Sequence, residues 1–212
     1  MSKAALCSRL WTVTTFLGVI IAHRWPAAVI PLLSITALIA QNSTPKRAPD
    51  VPYVPTTEAA VREMLKLADV RSADVVYDLG CGDGRIVIAA AKIYGAHGVG
   101  IDIDPARIKE AKENARIAGV ENLVRFEEND LLKTDIRQAT VVTLFLSVAI
   151  NLQLRPKLRE LKPGARIVSN TFDMGDWKAE KESTVGEPDA LYEPLSRQLY
   201  LWIVPPRKTP AP

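Results

Sequence analysis

The side chains in this chain best suited to chemistry are three aspartates set among glycines. Asp78 leads the run DLGCGDGR with Gly80, Cys81, Gly82 and Gly84, Asp102 closes the run HGVGID before Ile103, and Asp130 closes LVRFEEND before Leu131. Each acid ends a β-rich stretch. Alternate glycines let a short loop bend tightly and let a ligand approach where a Cβ would collide. The helical run RIVIAAAKIYG follows at once, and a helix start offers unpaired N–H groups. The spacing is G-x-G-x-G, with Arg85 where a dinucleotide fingerprint needs its third glycine, so a pyrophosphate is not the expected ligand. An acid about 20 residues past the glycines is placed for ribose hydroxyls. Taken singly, each aspartate is also an ordinary strand-end or capping residue. Their order on successive strands makes them a set. Cys81 reads as a small packing residue, and Cys7 is too remote to build a disulfide framework or a cysteine-rich metal site with it. No metal is expected.

The elements that must carry these residues can be read from periodicity. Strands are predicted at 74–79, 98–102, 122–127, 139–146, 165–170 and 198–204, with a weaker one near 183–187, and helices between each of the first five. Thr56 or Thr57 caps a first helix with Val61, Met64, Leu65 and Ala68 on one face. Asp104-Pro105 starts another, in which Ile108, Ala111, Ala115 and Ala118 recur until Gly119. Leu154, Leu158 and Leu161 mark a third before the Lys162-Pro163-Gly164 turn. Strand–helix alternation implies a doubly wound α/β fold whose ligands lie at the carboxyl ends of the strands. The last run, RQLYLWIVP, has no following helix and suits an antiparallel strand at the end of the sheet.

Charge and hydropathy divide the chain. Residues 1–49 hold Lys3, Arg9, Arg24, Lys46 and Arg47 and no acid, so the net +3 of the 212 residues comes from this region. Removing those five from 27 basic residues leaves 22 against 24 acidic ones from residue 50 onward. A nucleic-acid partner is not expected, since no clustered basic stripe or zinc-ligand set appears. Residues 10–22 and 25–40 are apolar runs separated by His23-Arg24. At about 1.5 Å per residue neither alone comfortably crosses a hydrocarbon core of roughly 30 Å. A cleavable signal or transit sequence, one kinked span and a shallow hairpin all fit. Residues 1–40 are thus read as a hydrophobic membrane anchor or signal-like segment, 41–52 as a linker, 53–206 as the catalytic domain and 207–212 as a disordered tail. Whatever uses a cofactor made inside cells must face the compartment that holds it, which favours an uncleaved anchor.

The glycine loop with its leading acid resembles motif I of the class I S-adenosylmethionine-dependent methyltransferases. That resemblance implies a Rossmann-like domain with a mostly parallel seven-stranded sheet and S-adenosylmethionine as cofactor, with Asp78, Gly80, Cys81 and Gly82 at its methionine part, Asp102 and Ile103 at the ribose, and Asp130 and Leu131 at the adenine. The runs PYVPT (52–56), DLGCGDGRIVIAAAKIYGA, GIDIDPARI, LRPKL and FDMGDW narrow it. Together they resemble a family of small membrane-anchored protein lysine methyltransferases and their bacterial relatives, whose mitochondrial members modify the ATP synthase proteolipid ring protein and the adenine nucleotide translocator. By that resemblance PYVPT is a lid, and Tyr53 and Thr56 join the cofactor site. The family implies a lysine of a membrane-associated protein as acceptor, and a place at the bacterial cytoplasmic membrane or, alternatively, the matrix side of the mitochondrial inner membrane. A small-molecule or lipid acceptor, or a non-catalytic cofactor-binding membrane protein, are the alternatives. One departure is LFLSVAIN, with Ser147-Val148 where related sequences carry an apolar pair ending in proline. No catalytic residue is assigned: Asn170 and Asp173 fall at the correct sheet edge to meet an amine, but Asp173 reads equally as a loop acid. His97 falls at the wrong end of the sheet, and Trp177 reads as packing.

Overall fold

A computed structural model describes residues 48–186 and 197–207. The expected anchor at 1–40, most of the linker and most of the tail lie outside the described residues. Among the described residues no helix is long and apolar enough to cross a membrane.

The order is α1 (Glu58–Leu67), β1 (Val75–Leu79), α2 (Arg85–Tyr94), β2 (His97–Asp102), α3 (Pro105–Ala118), β3 (Val124–Glu128), β4 (Val141–Leu144), α4 (Val148–Arg159), β5 (Arg166–Asn170), β6 (Lys181–Val185) and β7 (Arg197–Ile203). The seven strands form one sheet in the order β3-β2-β1-β4-β5-β7-β6, with the first five parallel. The order reverses between β1 and β4, and such a switch point leaves a crevice at the strand ends.

Local chemistry starts and stops the helices. Thr57 caps α1 by accepting from the Ala60 N–H, and Asp104 caps α3 ahead of Pro105. Gly95 and Gly119 end α2 and α3 in the left-handed region. Two cores flank the sheet. One joins α1, α2 and α3 to Val76, Val141, Val168 and Leu199, and the other joins α4 to Tyr77, Leu79, Val142, Ile167 and Trp202. β2 shows why its sequence alternates glycine: a Cβ at Gly98 would come 2.7 Å from Val87, and one at Gly100 would come 2.5 Å from Phe126. Glycines there let α2 and β3 side chains lie against the strand.

Two sequence expectations fail. No helix joins β3 to β4: residues 129–140 form turns. Asp130 replaces the helix by accepting from the Leu132 N–H at 2.9 Å, its carbonyl takes the Thr134 hydroxyl at 2.9 Å, and Lys157 donates to the carbonyls of Leu131, Leu132 and Thr134. These side chains satisfy the peptide groups that a helix would have paired. The final strand is antiparallel as expected but is not at the end of the sheet, because β6 pairs with its far side. The weak pattern of β6 has a physical cause: as an edge strand it is mostly exposed and lacks an apolar run.

Candidate active site

The loop after β1 is shaped by three glycines with positive φ, Gly80 at 85°, Gly82 at 52° and Gly84 at 80°. The Gly80 and Cys81 N–H groups donate to the Ile101 carbonyl at 2.8 and 2.9 Å, which ties the loop to the end of β2. The Gly82 N–H donates to Asp102 Oδ2 at 2.8 Å, and the Asp104 N–H donates to Asp102 Oδ1 at 2.9 Å. Asp102 is thereby fixed in direction. A carboxylate has about four lone-pair directions, so both oxygens can still accept from a ligand.

A strap formed by PYVPT covers the loop. A Cβ at Gly82 would stand 2.3 Å from Cε2 of Tyr53, so the tyrosine ring rests where any larger residue would hold it off. Arg85 locks this arrangement: it forms a two-point ion pair with Asp83 at 2.9 and 2.6 Å and donates to the Thr56 carbonyl at 2.7 Å. The Arg107 guanidinium lies 4.8 Å over the Tyr53 ring. In the sequence Arg85 serves solely to exclude a dinucleotide. Its place two residues after an acid was the available signal for a clamp.

The strap, the glycine loop and the ends of β2, β3 and β4 enclose a cavity of about 100 Å³. Tyr53, Thr56, Asp78, Gly80, Cys81, Asp102, Ile103, Asp130 and Leu131 all line it. Gly82 is not in its wall and acts from behind, by holding Asp102 and seating Tyr53. Pro49, Asp50, Val51 and Pro52, read as linker, also line it. Phe145 and Leu146 complete the wall beyond β4 and carry no signal in the sequence, since an apolar strand end looks like core. Ligand pockets usually run to roughly 300 Å³ or more, so the strap stands close over a partly filled site.

Asp78 sets the electrostatics at the floor. It is buried across the switch point, and its carboxylate accepts from the Thr143 hydroxyl at 2.8 Å. Burial, the largest influence, raises its pKa to about 7, and the nearby Asp102 and Asp83 charges push the same way against the Thr143 bond. Burial also raises the Cys81 thiol well above its ordinary value, which keeps it protonated and unreactive. Burial acts to raise Asp83, but its bonds to Arg85 prevail and hold it below the ordinary carboxylate range.

The other candidates separate clearly. Asp173 accepts from the Gly175 N–H at 2.9 Å, the role of a loop acid. Trp177 packs on Trp202 at 6.2 Å and carries the Arg159 guanidinium 4.8 Å over its ring. His97 is exposed at the start of β2, away from the cavity. Ser147, the departure after β4, caps α4 by accepting from the Ile150 N–H at 3.3 Å.

A Rossmann-like sheet with this glycine loop and these acids at its switch point defines a methyltransferase domain, and comparison with known proteins agrees. The ANTKMT methyltransferase domain family matches residues 78–181. A protein-lysine N-methyltransferase of Saccharolobus islandicus is 42% identical over 158 residues, 74% of this chain and 95% of that protein. The adenine nucleotide translocase lysine N-methyltransferase of Mus musculus is 34% identical over 74% of this chain, and the match spans 69% of its own length. Among solved structures, a Salinibacter ruber protein described as an RNA methyltransferase, in complex with S-adenosyl-L-homocysteine, is 48% identical. It has a TM-score of 0.66 and covers 74% of this chain and 98% of its own. The chain belongs to the family of S-adenosylmethionine-dependent protein-lysine N-methyltransferases that these relatives represent.

Proposed function

We propose that the protein methylates a lysine side chain of a membrane-associated protein, with S-adenosylmethionine as donor. The observation that carries this reading is the convergence of Asp78, Asp102 and Asp130, from three strand ends, on one cavity beneath a tyrosine strap. The donor set fits the cofactor's chemistry. Asp78 offers a buried carboxylate for an ammonium, Asp102 offers acceptors for vicinal hydroxyls, and Asp130 beside Leu131 offers an acceptor and an apolar face for an aminated ring. Gly80 and Cys81 supply the backbone approach, Gly82 holds Asp102 from behind, Ile103 supplies the wall beside Asp102, and Tyr53 and Thr56 the cover.

When bound, the cofactor supplies a methyl group already activated by a positive sulfur. What remains for this chain is to position an amine and to strip its proton. A lysine amine has an ordinary pKa near 10.4, so it arrives charged. Tyr53, Val54, Val148 and Leu152 are exposed apolar side chains on the strap and on the first turns of α4. Of these, Tyr53 and Val54 line the cavity, and drawing the amine past them desolvates it and lowers its pKa, so that the proton can leave to solvent.

The apolar runs at 10–22 and 25–40 support an uncleaved anchor with the catalytic domain on the cofactor-containing side, at the bacterial cytoplasmic membrane or, alternatively, the mitochondrial inner membrane facing the matrix. Anchoring enzyme and acceptor on one surface raises their effective concentration and reduces the need for a recognition domain. The Salinibacter protein's description favours an RNA acceptor as second reading. The near balance of charge from residue 50 onward weighs against it.

The test is transfer of a labelled methyl group to cell fractions, followed by digestion with protease or nuclease and by lipid extraction. Label that resists nuclease, is lost to protease and maps to a membrane-protein lysine is expected. Label in RNA or lipid overturns the acceptor. Asp102→Ala should lower transfer at least tenfold with the fold intact, and unchanged transfer would exclude the site.

A further inference from the structure

Beside the cofactor cavity, aromatic, amide and cationic side chains gather at and past the ends of β4 and β5 and at the start of β7. Phe145, which lines the cavity, stacks with Phe172 at 6.1 Å between ring centroids. The Arg197 guanidinium lies 5.0 Å over the Phe145 ring. A cation on the face of an aromatic ring is held by the ring quadrupole, most strongly where water is reduced. A cation therefore already stands on the ring of a residue that lines the cavity, although Arg197 itself is not in the wall.

The second observation is a buried amide. Asn170 is fully buried, and its side-chain oxygen accepts from the Thr171 hydroxyl at 2.9 Å, yet among the described residues its amide nitrogen has no partner. An unpartnered buried polar group costs stability, so this amide calls for a partner that the described residues do not supply. Register places it beside the aromatic pair. Leu144 and Ser169 are paired, so Phe145 and Asn170 come next along adjacent strands, and Asn170 is itself paired with Leu199 on β7. Two-residue alternation puts Thr143, Phe145, Asn170, Leu199 and Arg197 on one face of the sheet. The Thr171 hydroxyl can donate or accept, so the amide can turn and present its oxygen to an N–H donor.

The supporting loop is rigid. Thr171 holds a positive φ of 70°. The buried Asn151 on α4 donates to the Phe172 carbonyl at 3.0 Å and to the Asp173 carbonyl at 3.2 Å. The Thr171 N–H donates to the Gln198 carbonyl at 2.7 Å. Phe172 is thus set in place before any substrate arrives, as a positioning surface must be.

We propose that the Phe145–Phe172 pair and the Asn170 amide form the site for the acceptor ammonium, and that Arg197 holds the place of that cation until the acceptor displaces it. This rests on the lysine reading above, because it assigns a cationic acceptor to the site. Phe172 and Asn170 are specificity-determining residues that hold the amine, and Arg197 competes with it.

The test uses the full chain in detergent with S-adenosylhomocysteine bound, and n-butylammonium as a probe of the lysine side chain, titrated by saturation-transfer NMR. Neutral n-butanol serves as the isostere. The wild type should bind the ammonium saturably and prefer it to the alcohol. Phe172→Leu should weaken the ammonium about fivefold and abolish the preference, whereas Phe172→Tyr should stay within about twofold of wild type. Arg197→Gln should bind the ammonium more tightly, and it keeps the proposal testable if Phe172→Leu does not fold. S-adenosylhomocysteine affinity should be unchanged in both variants. Absence of saturable binding in the wild type overturns the proposal, as do equal affinity for alcohol and ammonium, or wild-type binding by both Phe172→Leu and Arg197→Gln. If the probe binds as expected while no protein is labelled by the active enzyme, the lysine reading fails and the cation site stands.

Discussion

Asp74, just before β1, and Asp78, near its end, stand four positions apart and are treated oppositely by the fold. Asp74 accepts from the Thr140 hydroxyl at 2.7 Å and the Arg71 N–H at 2.7 Å, and it pairs with Arg166. Burial acts to raise its pKa, but the bonds to Thr140, Arg166 and Arg71 hold it below the ordinary carboxylate value. Asp78, at the end of β1, has the Thr143 hydroxyl and a pKa raised to about 7 by its burial. The first carboxylate is completed by the protein. The second has the Thr143 hydroxyl and faces the cavity, where the proposed function puts a ligand.

The widest separation between them should appear with pH. Asp78 keeps its proton up to about pH 7 when folded and up to about pH 3.8 when unfolded. Its contribution to stability is therefore full below about pH 4 and is lost as pH rises to about 7. Without cofactor, Asp78→Asn should match wild type in denaturant unfolding at pH 4 and exceed it at pH 8 by up to roughly 4 kcal/mol. A parallel pH profile for the two proteins would erase the contrast.

Asp74→Ala should do the reverse and destabilise the fold by about 2–3 kcal/mol at pH 7, because it removes the counter-charge of Arg166, which keeps only the Ala68 and Asp69 carbonyls, and the acceptor of two further donors. The deficit should shrink as pH falls through the low pKa of Asp74, where wild type loses the same pairings. Equal stability of Asp74→Ala and wild type at pH 7 would show that the pair at this end is dispensable.

Asp102→Asn sharpens the functional end, since it keeps shape and removes charge. S-adenosylhomocysteine affinity by calorimetry should fall about tenfold to a hundredfold, with a loss of about 1–2 kcal/mol in unfolding because the amide leaves either the Gly82 or the Asp104 N–H without its acceptor. The smallest effect is expected from Arg85→Gln, which frees the strap: dissociation of S-adenosylhomocysteine in stopped flow should speed about fivefold. No change would mean that the tyrosine strap is held by Arg107 and packing alone.

Most of this architecture was legible because its signals are local. Gly80, Gly82 and Gly84 announce a loop that requires positive φ, Thr56 or Thr57 and Asp104 announce helix starts, and each of Asp78, Asp102 and Asp130 closes a β-rich stretch. The connection after β3 was misread because its stability comes from Lys157, far along the chain, filling carbonyls that a helix would have filled. The place of β7 was misread because strand order depends on which edge accepts a partner, and β6 is too polar to signal its own position. Arg85 and Phe145 were passed over for the same reason: their partners, Thr56 and Arg197, are distant in sequence.

By itself, then, the order of residues determined the loop, its acids and the family, since short-range sterics and periodicity act within one element. Only the tertiary structure decided that Asp74 pairs with Arg166 while Asp78 faces the cavity, and that Phe145, Asn170 and Arg197 share one sheet face. Burial and cross-strand register are set by packing between elements, and no local pattern contains them.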